Sequence, residues 1–365
     1  MEVVIPQVVV LPVHDSSDAA DARRSARGMA FQAGLTEEDA GRAAIVATEA
    51  ATNLVKHARG GEMVLRLGGR EDSRVLDLLA IDRGPGMTNL AECLRDGYTT
   101  VGTAGNGLGA IARQSNVFDA YSKPGAGTVV FSRITAGNPR ASTPQPLGSL
   151  VVDGLSLQKS GEEVSGDNWS CIVQGGVATV VVADGLGHGI AAADAANEAI
   201  AAFHRGPSLT PLDVLGRVHR ALMKTRGAAV SVAHIDSARG QITYAGIGNI
   251  AATVEDGSTP RHLVSLHGIA GHQVRRLQDF SYPWTTADVL VMHSDGVSAH
   301  WSLNNYPGLA QRHALVIASV LLRDFSRGRD DATVVVARHV LLSDATMRPA
   351  NAEGASTAPA SGPRR

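Results

Sequence analysis

The chain has 365 residues, of which 44% are hydrophobic, 19% charged and 4% aromatic, with a formal net charge of −2. That length favours two domains over one, and the apolar share excludes wholesale disorder. The near-neutral balance speaks against a nucleic-acid-binding surface. No apolar run reaches the roughly 18–20 residues that a membrane span needs. The opening segment MEVVIPQVVVLPV carries Glu2 and no basic stretch, unlike a signal peptide. Cys93 and Cys171 are too few for a disulfide framework or a CxxC metal pair. A cytoplasmic protein without membrane or nucleic-acid partners is expected. Glycine stands out at 40 of 365, about 11%, against an average near 7%.

In chain order, a helix is predicted over Ser17–Gly34. A second begins at Thr36, which offers an N-cap ahead of Glu37, Glu38 and Asp39 in the first turn. Its apolar positions Ala43, Val46, Ala50 and Leu54 recur at helical spacing through about Ala58. Strands are predicted at Met63–Leu67 and Val75–Ile81, a helix at Gly107–Ser115, and a closing strand at Thr128–Ile134. The stretch 136–149, AGNPRASTPQPLGS, has linker composition. A flexible tether of that length spans about 20 Å, which argues against a stiff lever between the halves. Strands are then predicted at Leu150–Lys159, Trp169–Gln174, Ala178–Asp184, Ala228–Ile235, Gln241–Ile247, Val289–Ser294 and Ala332–His339. Helices are predicted at Gly189–Phe203, Pro211–Thr225 and Gly308–Phe325. The Pro-, Ala- and Ser-rich end reads as a disordered tail. The expected organisation is α+β: domains at 1–136 and 150–343, a linker at 137–149 and a tail at 344–365.

Three features of the first half belong together. Glu49 and Asn53 lie four apart on one helix face. Asp82 follows the apolar strand VLDLLAI and precedes Gly84 and Gly86, where backbone can approach a ligand closely. Gly105, Gly107 and Gly109 open a predicted helix whose free N–H groups suit phosphate. Each is weak alone. In this order, EAATNLVKHA, DRGPGM and GNGLG, followed by Gly127-Thr128, resemble the boxes of the GHKL (Bergerat) ATPase fold. The match is to anti-sigma-factor serine kinases of the RsbT/RsbW type, over about residues 10–135. The resemblance implies an α/β sandwich that binds ATP with Mg²⁺. Asn53 would hold the ion, Glu49 would act as general base, and Asp82 would accept from the adenine amino group. Gly84, Gly86, Gly105, Gly107, Gly109 and Thr128 would line the nucleotide.

The second half sets acidic residues at strand edges in SGEEVSGDNW, VVVADGLGHG, MHSDGV and RGRDDATVVV. Four such junctions without a cysteine cluster suggest a hard-cation site. Together they resemble the SpoIIE branch of the metal-dependent PPM serine/threonine phosphatases, in a form close to RsbX. The implied fold is a β-sandwich flanked by helices. The implied ligands of two Mg²⁺ or Mn²⁺ ions are Asp167, Asp184, Asp295, Asp330 and the carbonyl of Gly185, with Asp331 an alternative to Asp330. Asp184 would bridge the ions. His188 would either protonate the leaving group or support the site. The segment Gly246-Ile247-Gly248-Asn249 reads as a hairpin turn nearby that does no chemistry.

The combination implies a bifunctional regulator of a partner-switching pathway. An ATP-dependent kinase domain and a metal-dependent phosphatase domain would act on a STAS-domain phosphoprotein of sigma-factor or stress signalling. The alternative keeps only the phosphatase, with the first domain a nucleotide-binding docking or sensing module, or a direct binder of a sigma-factor regulator.

Overall fold

The computed structural model describes residues 7–70, 73–94, 107–137, 148–206, 209–272, 274 and 276–340. The interior of the linker, the tail, Gly105 and Asn106 lie outside the described residues.

The first half opens with β1 (Gln7–Val13), a strand that the sequence reading did not assign. Helix α1 (Ser16–Gln32) is capped by Asp15, and α2 (Glu37–Asn53) by Thr36; both form reciprocal capping boxes. One π-helical turn, Leu54–Ala58, extends α2 to its predicted end and closes on Arg59 in the left-handed conformation. Then come β2 (Gly61–Arg70), β3 (Ser73–Ile81), a short α3 (Leu90–Cys93), α4 (Gly107–Gln114), β4 (Val117–Lys123) and β5 (Gly127–Ile134). The antiparallel sheet has the order β1-β2-β3-β5-β4. On one face Met63, Leu65, Leu76 and Leu78 meet the small residues of α1 and α2, such as Ala22, Ala26, Ala43 and Ala47.

The second half contains β6 (Leu150–Leu157), β7 (Asp167–Gln174), β8 (Val177–Gly185), α5 (Ile190–His204), α6 (Pro211–Ala221), β9 (Ala228–Asp236), β10 (Gln241–Ile247), β11 (Ala251–Glu255), β12 (Arg261–His262), β13 (Phe280–Pro283), β14 (Val289–His293), α7 (Ala314–Phe325) and β15 (Ala332–His339). Two antiparallel sheets, β13-β10-β9-β8-β7 and β12-β11-β14-β15-β6, face each other across Val180, Val182, Ile235, Leu290, Met292 and Val335. Helices α5 and α6 cover the outer face of the first sheet. The fold is thus α+β, as expected. Because β10 and β11 belong to different sheets, Gly246–Asn249 crosses between sheets instead of forming the expected hairpin.

The two halves are not loosely tethered. Helix α7 lies on the β6–β15 sheet, and its opposite side is covered by the outer face of the N-terminal sheet through Val64, Leu79, Ile81, Val129 and Phe131. A helix that is apolar all round must be buried all round, and ALVIASVLLR is buried at every position. Four charges share this interface. Arg66 contacts Asp77 at 2.5 Å and Asp153 at 2.7 Å, and Arg133 contacts Asp77 at 2.6 Å and Asp153 at 2.8 Å. Asp153 belongs to β6 and the other three to the N-terminal sheet, so the network spans the halves. The expectation of a tether without fixed geometry is corrected: apolar burial, not linker stiffness, fixes the arrangement.

Candidate functional site

Two sites can be built from the residues upward. At the first, α2 presents Glu49 and Asn53 toward the start of α4. A Cβ on Gly107 would stand 3.2 Å from Asn53 Oδ1 and 3.3 Å from Glu49 Oε2, a tight contact, so the start of α4 lies directly against both side chains. Gly109 is buried two residues further along. Asp82 follows β3. Its Oδ1 accepts from the Gly84 amide at 2.7 Å and the Thr128 amide at 3.2 Å, while the Thr128 carbonyl accepts from the Asp82 amide at 2.9 Å. Burial raises the Asp82 carboxyl above the usual range, against those two amides. Gly127 has φ +92°, and a Cβ there would overlap the Asp82 carbonyl. Gly86, at φ +68°, is likewise pressed on the Lys123 carbonyl. Glu49, Asn53, Gly107 and the Asp82–Thr128 pair therefore form a glycine-walled cradle. It suits a nucleotide with its hard cation held by the Asn53 amide oxygen.

At the second site, antiparallel pairing sets Asp167 directly opposite Asp184 at the end of the β7–β8 ladder. From the other sheet, Asp295 follows β14 and Asp331 precedes β15. Gly296 between them is so close to the Asp331 carbonyl that no Cβ fits. Gly185 is packed against the backbone of Ala192 in α5. Burial, with Asp167, Asp295, Asp330 and Asp331 nearby, pushes Asp184 up to about 9. Burial also lifts Asp167 to about 7, with Asp331 and Asp295 adding to it and the Ser294 hydroxyl opposing it. The five carboxylates are one electrostatic cluster, although among the described residues no three acidic, histidine or cysteine side chains converge closely enough to hold a metal ion as they stand. Asp331 Oδ2 is buried with no hydrogen-bond partner. Mutually opposed carboxylates and an orphaned buried oxygen fit a divalent cation.

Asp330 and Asp331 differ in setting. Asp330 is exposed and its Oδ1 accepts from the Asp331 amide at 3.0 Å. Asp331 is buried, and its Oδ1 accepts from the Lys159 amide at 2.8 Å. His188 is exposed, with Nδ1 2.6 Å from Glu162 Oε1, so a carboxylate orients the ring at the rim.

Three residues overlooked in the sequence complete the site. Ser294 donates to Asp167 Oδ2 at 2.6 Å and accepts from the Thr333 amide at 3.0 Å, tying the two sheets together at the cluster. Asn249 donates through Nδ2 to Asp295 Oδ2 at 2.6 Å. Its place in the glycine-rich GIGN segment was a signal, but one read as a turn. Arg226 is exposed, and its Nη1 stands 3.3 Å from where a Cβ on Gly187 would lie. Among the described residues no acid pairs with it. Its mount is firm: the Gly227 amide donates to Thr225 Oγ1 at 3.0 Å, and the Gly227 carbonyl accepts from the Leu186 amide at 3.1 Å. Nothing in its sequence context marked it.

Residues 174–340 match the family described as stage II sporulation protein E (SpoIIE), and residues 14–133 match the histidine kinase-like ATPase domain family. The serine/threonine-protein kinase RsbT of Bacillus subtilis is 28% identical over 113 residues, 31% of this chain and 85% of that one. Among solved structures, RsbX in complex with magnesium is similar at 18% identity and a TM-score of 0.47, over 53% of this chain and 98% of that chain. The phosphatase domain of Bacillus subtilis SpoIIE with a fragment of its regulatory domain is similar at 16% identity and a TM-score of 0.45, over 89% and 92%. No helix among the described residues is long and apolar enough to cross a membrane.

Proposed function

Because the chain joins a histidine kinase-like ATPase domain to a SpoIIE-type serine/threonine phosphatase domain, we propose that it is a bifunctional partner-switching regulator in the cytoplasm. The C-terminal domain removes phosphate from serine or threonine of a STAS-domain protein, and the N-terminal domain, as in the RsbT-like kinases, places it there at the expense of ATP. One observation supports the phosphatase reading: Asp167 and Asp184 pair at the end of one sheet, the Asp295 and Asp331 turns are pressed together at the end of the other, and Asp331 Oδ2 is buried without a hydrogen-bond partner. Asp167, Asp184, Asp295, the Gly185 carbonyl and Asp330 or Asp331 would hold the divalent ions, Mg²⁺ or Mn²⁺. The buried orphan oxygen of Asp331 favours its participation beside Asp330. When bound, the ions polarise water and the phosphoryl oxygens.

The chain's own residues do the rest. Ser294 and Asn249 orient the Asp167 and Asp295 carboxylates, in the manner of hydrogen bonds that fix metal ligands. Arg226, firmly mounted and with no acidic partner among the described residues, would meet the phosphoryl group through its guanidinium fork. His188, aligned by Glu162, stands at the rim where the leaving hydroxyl departs. In the first domain Glu49 accepts the proton of the attacking hydroxyl, and Asp82 with Thr128 reads the adenine edge. Phosphoryl transfer rests on positioning and charge neutralisation, so this short set suffices.

The test is hydrolysis of a phosphoserine peptide by the full chain with Mn²⁺. Asp184→Asn should abolish it with folding intact, and chelation should silence the wild type. Full activity of Asp184→Asn sinks the assignment.

A further inference from the structure

The nucleotide cradle and the carboxylate cluster share one short segment of chain, the last turn of α7 and the loop that follows. At one end, the buried Arg323 donates from Nη1 to the Asp82 carbonyl at 3.1 Å. The neighbouring Arg83 donates to the Arg323 carbonyl and lies 3.6 Å from Asp324. Asp324 holds the Arg323 guanidinium at 2.8 Å and 2.9 Å, and accepts from the Tyr306 hydroxyl at 2.9 Å. At the other end, the Phe325 carbonyl accepts from the Ser298 amide at 2.9 Å, and the Arg327 amide donates to the Gly296 carbonyl at 2.8 Å. Gly296 follows Asp295 and is pressed on the Asp331 carbonyl. Residues 323–331 therefore touch the adenine-reading aspartate at their start and both strand-end acidic turns at their finish.

The contacts on the nucleotide side come from backbone and guanidinium groups of the Asp82-Arg83 turn, whose carboxylate faces the cradle. A ligand that holds the Asp82 carboxylate restrains its backbone carbonyl, whose carbon is three bonds away in the same residue. Helix α7 has no slack to absorb a displacement, because close-packed side chains surround it on every side.

We propose that an adenine nucleotide bound at Asp82 orders the Asp295 and Asp330–Asp331 turns through Arg323 and Arg327, so that the ATPase domain senses nucleotide on behalf of the phosphatase domain of its own chain. This rests on the nucleotide-site reading above, and the experiment separates the two.

The measurement is amide hydrogen exchange on the full chain with and without magnesium and a non-hydrolysable ATP analogue. Segments 78–86, 294–299 and 323–331 are followed. In the wild type the analogue should slow exchange in all three, the remote two by about fivefold or more, the usual lower size of coupling between sites. Arg83→Ala removes an exposed side chain and leaves the core untouched, and Arg323→Lys keeps the charge without the fork. Both should keep protection at 78–86 and lose most of it at 294–299 and 323–331. Protection confined to 78–86 in the wild type overturns the inference. So does remote protection that survives both substitutions. Absence of protection at 78–86 at saturating analogue overturns the nucleotide-site reading itself, and the inference with it.

Discussion

His313 of the C-terminal half stacks on Phe131 of the N-terminal sheet with ring centroids 4.6 Å apart, while its Nδ1 accepts from the Leu315 amide at 3.2 Å and caps α7. The imidazole must therefore be neutral, with its proton on the other nitrogen. One titratable ring thus serves both the cap of the shared helix and one contact between the halves.

That ring makes the interface sensitive to acid. Burial pushes His313 down to about 4, against the pull of Asp153. Between about 4 and 6.5 the unfolded chain binds a proton that the folded chain refuses, so stability rises with pH through that window and is lost as pH falls. Asp153 acts in the same sense lower down. Burial opposes its charge, but Arg66 and Arg133 hold it well below the usual carboxylate range. From about pH 7 to about pH 5 the His313 contribution lost is on the order of 2 kcal/mol. Urea midpoints across that range should fall in the wild type and fall less in His313→Asn, which keeps a capping acceptor. Equal slopes would rule the ring out.

The interfacial charges should be costly to break singly. Asp77 is fully buried and takes bonds from both Arg66 and Arg133. Arg66→Leu leaves Asp77 and Asp153 with one arginine between them and should cost about 3–5 kcal/mol. Denaturant unfolding reads this directly, and a loss below about 1 kcal/mol would mean that water enters the interface.

Asn249 is predicted to position Asp295. Asn249→Ala should weaken Mn²⁺ activation of phosphopeptide hydrolysis by about 10–100-fold, with activity recovering at high metal. A fall in maximal rate with unchanged metal affinity would contradict the role.

Arg226 should act on phosphate. Arg226→Ala should raise KM for phosphopeptide, and the inhibition constant of inorganic phosphate, by about tenfold, as loss of a charge-assisted bond of about 1.5 kcal/mol implies. Its metal dependence should not move. Arg226→Lys should recover only part, since a point charge replaces a fork. Unchanged KM in both variants excludes the contact.

Asp82→Asn should remove the thermal shift that ATP with Mg²⁺ gives the full chain. A ligand at about 100 times its Kd stabilises by about 2.7 kcal/mol. The asparagine can still accept from Gly84 and Thr128 through its oxygen, so the unliganded melting temperature should hold. A retained shift would place the adenine elsewhere.

Most elements and most candidate residues were legible in the chain because they are written locally. Thr36 with Asp39 caps α2 as its sequence announces, and the apolar runs before Asp82, Asp184 and Asp295 are strands that lead into the two candidate sites. β1 was missed because a short apolar opening has no flanking turn signal, and β4 because Val117–Lys123 mixes polar and aromatic residues without a clean alternation. Asn249, Ser294 and Arg226 were invisible as site residues, since each acquires its role from a neighbour distant in sequence. Asn249 and Asp295, for instance, are 46 residues apart.

Composition, capping and motif order by themselves determined two α+β units, one built to cradle a nucleotide and one to gather carboxylates. What only the tertiary structure decided is how they are joined. The linker composition spoke for a loose tether. Against it stood ALVIASVLL, a helical run buried at every position whose one hydroxyl, Ser319, bonds back to the Leu315 carbonyl, and the outward residues Val64, Leu79, Val129 and Phe131 of strands that carry apolar residues on both faces. A helix with no polar face and a sheet with no wet face must each find a second partner, and here each supplies the other's. The sequence states that need; which surfaces meet, and that Arg323 thereby reaches Asp82 across 241 residues, is settled only when the layers pack.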